Sequence, residues 1–475
     1  MTFWLSIVGG VYLVLLVFAT LIARRKTSTA HDYVMAGSNV GVILGFLTFG
    51  ATLFSTFTLM GMPDFFRTHG VGAWIFLGVS DAAVAFVVLW YASHLRRRVA
   101  SSGFKGIAGF LSDCYQTKWA GVLYFVGIFV FLTPYVAVQI RGISIFFDAV
   151  FPNALPEWGW AASIVIVMLV YSEIGGLKAI IYSDAFQGVL LLIVTWIIAY
   201  TCVRHFGGVS GLFDSVREVR PELLSTPGPH GLFGVQFLIA SFLMVILLPI
   251  TQPQLAMRLV IMKDVRASHF MALALGVFAM AVILPTIVIG MYGAVEYEGL
   301  SPSDFLSRVL FFDQPAVIGA TVAVGLIAAA MSTADSQIFA LGTELRSLLP
   351  GRERVVMIQT KIAIVGFAMT TLVFAILSSD ELVLLARVSF AGTALMGPLI
   401  LAAVLTRSAP GIEIIIISAL GLILFVLALI GVIPDDPGGV RIDLLLLTGN
   451  FGLAALSVLF HKFRAKTSAC SNKHS

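Results

Sequence analysis

Thirteen apolar runs, each long enough to cross a bilayer, follow one another along this chain. They fall at roughly 3–22, 41–60, 71–93, 120–147, 159–175, 180–203, 234–257, 271–295, 314–343, 358–378, 382–406, 411–433 and 442–461. A helix rises 1.5 Å per residue, so about 20 apolar residues span the hydrocarbon core. The longest external connection, about 204–233, is rich in Gly, Pro and charge and leaves no room for a soluble catalytic domain. With only 11% charged residues in 475, the chain cannot cover a water-facing surface of its own size. The pattern predicts an all-α polytopic membrane protein of 13 transmembrane helices.

Charge placement orients it. With the N-terminus outside, 21 of the 29 Lys and Arg fall in cytoplasmic segments, Arg258 among them, and 6 fall outside. Arg141 and Arg387 remain within spans. That asymmetry predicts N-terminus out and C-terminus in, in a plasma membrane of the bacterial inner-membrane type. The basic flank Arg24-Arg25-Lys26 follows the first run instead of preceding it, so the run reads as a retained helix and not a signal peptide. A net charge of +4, dispersed, does not suggest nucleic acid. Cys114, Cys202 and Cys470 are too far apart for a disulfide framework, and the eight histidines form no ligand cluster. No cofactor, transition metal or obligatory protein partner is expected.

Two spans look interrupted. The second runs Gly50-Ala51-Thr52-Leu53-Phe54-Ser55-Thr56-Phe57-Thr58 and then meets Gly61 and Pro63; the seventh carries Pro249 and Pro253 around Thr251-Gln252. Proline frees a backbone carbonyl, and such carbonyls survive at membrane depth only around a protein-lined site. The two spans lie five apart, so they open blocks of five, and an odd block inverts the second copy. Paired broken helices in inverted halves mark a transporter's central site. The chain then divides as one membrane domain, 1–475: a peripheral helix 3–22, repeats 41–203 and 234–406, two further helices in 411–461 and a cytoplasmic tail 462–475.

The ninth span contains Ala328-Ala329-Ala330-Met331-Ser332-Thr333-Ala334-Asp335-Ser336-Gln337. A helix places 329, 332, 333 and 336 on one face. These oxygens suit a hard cation; they also suit close helix packing with self-satisfied hydroxyls.

Several stretches together resemble the sodium:solute symporter family. They are Asp32-Tyr33-Val34-Met35-Ala36-Gly37, Met60-Gly61-Met62-Pro63, Gly175-Gly176 through Ser183-Asp184 to Gln187, Pro253-Gln254 followed by Arg258 and Lys263-Asp264, and Ala329 to Thr333. The resemblance covers nearly the whole chain. It implies a leucine-transporter-like fold, a five-plus-five inverted repeat with flanking helices, and Na⁺-coupled symport by alternating access. It also implies a sodium site made of the carbonyls of Ala51, Phe54 and Ala329 and the hydroxyls of Ser332 and Thr333. Asp184 matches the family's Asp near the sodium path. With Asp335 and Ser336 it is a candidate second ion or ion-exit site. Asp335 departs from relatives that have a hydroxyl there, which keeps proton coupling open as an alternative.

The expected substrate pocket comprises Thr52, Ser55, Thr56 and Thr58 at the break, Gln139 and Arg141 on the fourth span, and Thr251 and Gln252 on the seventh. Arg141 reads either as a structural ion pair or as a bidentate clamp for a carboxylate. Leu53 stands where proline-type relatives have Asp, and the break lacks the amide and acid groups of sugar carriers. These departures lean towards a small organic anion. Arg387 reads as a structural or gating pair with Asp380 or Glu381. Arg67 and His69, just past the break, read as ordinary loop residues or an anion lure. A solute sensor of the same fold is a further alternative, against which the short tail speaks. No nucleophile–base pair or phosphate loop suggests an enzyme.

Overall fold

A computed structural model describes residues 2–26, 30–100, 104–379, 381–406 and 408–471. Asp380, named above, and Arg407 and Lys473, two of the 21 charges assigned to cytoplasmic segments, lie outside the described residues. The chain is helical along nearly all of the described length. It starts with α1 (Thr2–Arg25), then α2 (Val42–Leu53) and α3 (Phe57–His69), which meet at a 52° bend. Next come α4 (Ile75–Val99), the short α5 (Ile107–Tyr115) and α6 (Lys118–Val150). The next helix splits at Gly176 into α7 (Glu157–Val170) and α8 (Gly176–His205). A surface helix α9 (Val209–Val219) precedes α10 (Val235–Ile246) and α11 (Pro253–Ile261). The chain continues through α12 (Val265–Glu296), α13 (Ala316–Leu348), α14 (Arg354–Leu377), α15 (Leu382–Leu405), α16 (Ile412–Leu429) and α17 (Ile442–Lys462). Among the described residues ten helices are long and apolar enough to cross a membrane, eleven if α2 and α3 count as one span. The two other expected spans are represented by the shorter apolar helices α7 and α10.

Burial sorts these helices into layers. The apolar window is 83% buried in α15 and 72% buried in α13, against 22% in α1. α15 and α13 are therefore interior, α13 through small residues that let neighbours approach, and α1, with large apolar residues all round, lies at the rim. α13 packs on α8, α6, α14, α11 and α2. α1 touches the bundle through Tyr12, Leu16, Ala19, Thr20 and Ala23, a stripe of helical period. Gly188 brings α8 against α2: a Cβ there would lie 3.2 Å from the Cβ of Ala51.

The two interrupted regions are stitched together. Val40, just before α2, takes part in a parallel bridge to Met262, just after α11, with Val40 N–H donating to Ile261 O (3.1 Å) and Lys263 N–H to Val40 O (3.0 Å). On α13, Glu344 accepts the N–H groups of Ile107 (3.0 Å) and Ala108 (2.6 Å), and Ser347 accepts that of Gly109 (2.8 Å). These satisfy the orphan donors at the start of α5 and tie it to the central helix.

Gly176 sits at φ 60°, ψ −156°, a conformation open essentially to glycine, and a Cβ there would lie 2.7 Å from Tyr33 O. Gly176→Ala is expected to cost about 1–3 kcal/mol. A thermal unfolding midpoint equal to that of the wild type would refute this.

Candidate functional site

The break between α2 and α3 is built from local chemistry. Phe54 is extended (φ −101°, ψ 127°), and Ser55 N–H, which would continue the helical ladder to Ala51 O, donates instead to Thr58 Oγ1 (3.1 Å). Phe57 N–H donates to Ser55 Oγ (3.2 Å). Serine and threonine oxygens thus take over backbone donors, and the carbonyls at the end of α2 lose their helical partners. The break lies at Phe54–Thr56, within the stretch Thr52–Thr58 expected for it. A π-turn over Phe57–Gly61 absorbs the proline and the helix runs on to His69. In the second interrupted region the break falls at Gln252 (φ −93°, ψ 122°), between the turn Leu248–Thr251 and α11. The Thr251 carbonyl accepts Tyr124 Oη at 3.0 Å.

The central helix answers the first break. Ser332 Oγ lies 2.9 Å from Ala51 O and 2.9 Å from Ala329 O; Thr333 Oγ1 lies 3.2 Å from Ala51 O and 3.2 Å from Thr52 O. Four of the five residues expected around sodium therefore meet in one contact set, and Thr52 adds a carbonyl. A hard cation held at about 2.4 Å by oxygens separates neighbouring ligands by about 3 Å, so the spacing suits one. Phe54 lies in the extended link itself, its N–H on Gly50 O (2.8 Å).

The residues expected at a second ion site are divided by an arginine. Arg258 is 1% exposed and Asp184 fully buried. Arg258 Nη2 donates to Asp184 Oδ2 (2.9 Å) and to Ser336 Oγ (2.7 Å), Nε to Thr48 Oγ1 (3.1 Å), and Nη1 to Gln254 O (2.9 Å). Thr48 Oγ1 also donates to Asp184 Oδ2 at 2.6 Å. Arg258 is therefore a buried helix residue and not a cytoplasmic loop charge as its place in the sequence suggests: Pro253 opens a new helix, and Arg258 is one turn inside it. Asp335 is 2% exposed and does not join this cluster. Among the described residues, neither of its oxygens has a partner apart from its helix neighbour Ser336. Tyr12 from α1 lies near it, accepting from Gln187 Nε2 (2.8 Å) and donating to Met331 Sδ (3.5 Å).

The expected pocket residues separate in the same way. Thr52 Oγ1 turns to Ser336 (3.4 Å) and Asp184 (3.5 Å), and the hydroxyls of Ser55 and Thr58 serve the break. Thr56 faces α6, where a Cβ on Gly142 would lie 2.4 Å from its Cγ2, and its hydroxyl is buried without a partner. Gln139 Nε2 donates to Tyr135 O (3.1 Å) and leaves Oε1 unpartnered; Gln252 Oε1 accepts from Gln254 (2.7 Å) and leaves Nε2 unpartnered. Thr251 returns its hydroxyl to Leu247 O (3.1 Å). Arg141 pairs with Glu157 at the start of α7. Arg387 pairs with Asp443 (2.6 Å) and Ser241 (2.8 Å), not with Glu381, which precedes the helix and sits on another face. Arg67 is held by Asp64 (2.7 Å) and the Tyr297 carbonyl (3.2 Å), beside a cavity of ≈ 400 Å³.

Broken helices whose freed carbonyls meet hydroxyls of a central helix define a class: a multi-pass membrane protein with the core of a secondary transporter. Solved structures agree on the fold. A Na⁺-coupled sialic acid symporter in a substrate-bound outward-open state superposes with a TM-score of 0.76 at 15% identity, over 95% of this chain and 97% of that one. Mhp1, a nucleobase-cation-symport-1 family transporter, gives 0.59 at 12% identity over 93% and 96%. Among curated relatives, the high-affinity proline transporter PutP of Bacillus subtilis (strain 168) is 26% identical over 336 residues, 68% of this chain and 69% of that one. The sodium/pantothenate symporter of Haemophilus influenzae is 22% identical over 333 residues, 68% and 66%. The sodium:solute symporter family profile matches residues 33–406, and the chain belongs to that family. Its members and these relatives are transporters, not enzymes.

Proposed function

We propose that this chain couples Na⁺ entry to uptake of a small, carboxylate-bearing organic solute by alternating access. The observation that carries the reading is the pair of hydroxyls, Ser332 and Thr333, directed at the carbonyls of Ala51 and Thr52. A site made from two separate helices binds its ion only while those helices are together, and coupling requires such differential binding between states. The proposal includes Phe54 as the fifth oxygen, thirteen crossings arranged as inverted halves, the N-terminus outside and a plasma-membrane location. With Arg141 engaged by Glu157, carboxylate recognition rests on the start of α3, whose dipole favours an anion, and on the unpartnered amide nitrogen of Gln252. Asp335 favours a second reading, proton coupling, because a buried carboxylate must be paired, coordinated or protonated and this one has no cationic partner among the described residues.

Uptake into proteoliposomes separates the two. An inward Na⁺ gradient is expected to drive accumulation at constant pH. Accumulation driven by a pH jump in the absence of Na⁺, with no response to Na⁺, would replace sodium coupling by proton coupling.

A further inference from the structure

The C-terminal end of α3 carries a histidine that neither the ion reading nor the solute reading uses. His69 is the last residue of that helix and lines the ≈ 400 Å³ cavity beside Arg67. The connection from α9 to α10 folds back over it. Val71 N–H donates to Leu223 O (2.8 Å), and a Cβ on Gly228 would lie only 2.5 Å from His69 O. This close seating brings a second histidine, distant in sequence, to the first. The rings of His69 and His230 stand 5.7 Å apart, centre to centre, with their planes at 71°. His69 stacks on Phe65 at 4.5 Å and makes a tilted contact with Phe233 at 6.2 Å, while His230 is exposed.

Two imidazoles that share one metal ion have a characteristic spacing. A Zn–N bond of about 2.0–2.1 Å and tetrahedral bond angles put the ring centres about 5–6 Å apart. The His69–His230 pair falls in that range. The ring orientation of His69 agrees. Apart from the Phe65 carbonyl one turn earlier on its own helix, its buried Nδ1 has no partner among the described residues. A ligating imidazole gives its second nitrogen to just such a carbonyl, which leaves Nε2 for the ion. Phe65 and Phe233 already hold the ring, so little rotamer freedom remains to be lost on binding.

The donor set also fixes the kind of ion. Among the described residues no three His, Cys, Asp or Glu side chains gather where one metal could reach them all. Water therefore completes the shell, and the ion is exchangeable and not a built-in part of the fold. Neutral ring nitrogens select a transition metal over Mg²⁺ or Ca²⁺, which require oxygen ligands.

We propose that His69 and His230 form a surface site for a divalent transition metal, Zn²⁺ or Ni²⁺, which clasps the α9–α10 connection to the end of α3. The site is independent of the symport reading above, since it needs neither Na⁺ nor solute.

The test follows thermal unfolding of the full-length protein in detergent, without a polyhistidine tag, while Zn²⁺ or Ni²⁺ is titrated. A metal that binds the folded state raises the midpoint. Both metals are expected to raise it, EDTA to reverse the rise, and Mg²⁺ to leave the midpoint in place. His230→Ala and His69→Ala should each weaken the response at least tenfold. His205→Ala, whose ring pairs with Glu296 (3.2 Å) elsewhere on the surface, should not change it. Because His230 is exposed, its variant decides the matter even where His69→Ala does not fold. The proposal is overturned if neither metal shifts the wild type, if Mg²⁺ acts as strongly, if His230→Ala keeps the wild-type response, or if His205→Ala loses as much of it.

Discussion

Replacing Ser332 by Ala is expected to raise the Na⁺ concentration that half-stabilises the protein by ten- to a hundredfold. Its hydroxyl lies 2.9 Å from both Ala51 O and Ala329 O, so it joins the broken helix to the central one. Interactions of this kind with a charged group contribute about 1.5–3 kcal/mol, and each 1.4 kcal/mol is about tenfold in affinity. The fold should tolerate the change, because alanine suits a helix that already carries Ala329, Ala330 and Ala334 around this position. Thermal unfolding across a Na⁺ titration measures it. Thr321→Ala, on the same helix with its hydroxyl returned to Val317 O (2.8 Å), is the control and should leave the curve in place. An unmoved curve in Ser332→Ala would take this hydroxyl out of the sodium shell.

Much of this site could be read in advance because its signals are local. Bilayer thickness sets the length of an apolar run, so the long helices announce themselves. Ser332 and Thr333 stand out because adjacent hydroxyls in an apolar helix point either to a close-packed face or to an ion site. Other features depend on distant partners. Arg258 falls just after Pro253 and reads as the beginning of a loop, yet that proline is the first residue of α11. Nothing near it in sequence points to Asp184, 74 residues earlier. Arg141 reads as well for a clamp as for an ion pair until Glu157, 16 residues on, closes against it. The four hydroxyls of the first break look alike in sequence, but Ser55 and Thr58 are consumed by backbone donors and Thr52 by the ion network.

Arg258→Met is expected to destabilise the protein strongly, and adding Asp184→Asn should restore much of what is lost. Both side chains are withdrawn from solvent, so removing the guanidinium leaves Asp184 with only the hydroxyls of Thr48 and Thr52. Breaking a buried pair from one side costs about 3–5 kcal/mol, whereas neutralising both partners removes most of that penalty. The two single variants should also differ. Without the Asp184 charge, Arg258 keeps Ser336 Oγ, Thr48 Oγ1 and Gln254 O as acceptors, so Asp184→Asn should be the milder change. A double-mutant cycle on unfolding midpoints in saturating Na⁺ measures the coupling. Strict additivity would mean that the two groups are merely neighbours. Recovery in the double variant would establish that this ion pair fastens α11 to α8 next to the proposed sodium shell. The small residues of the central helix could not do so alone, since they bring helices close without holding them in register.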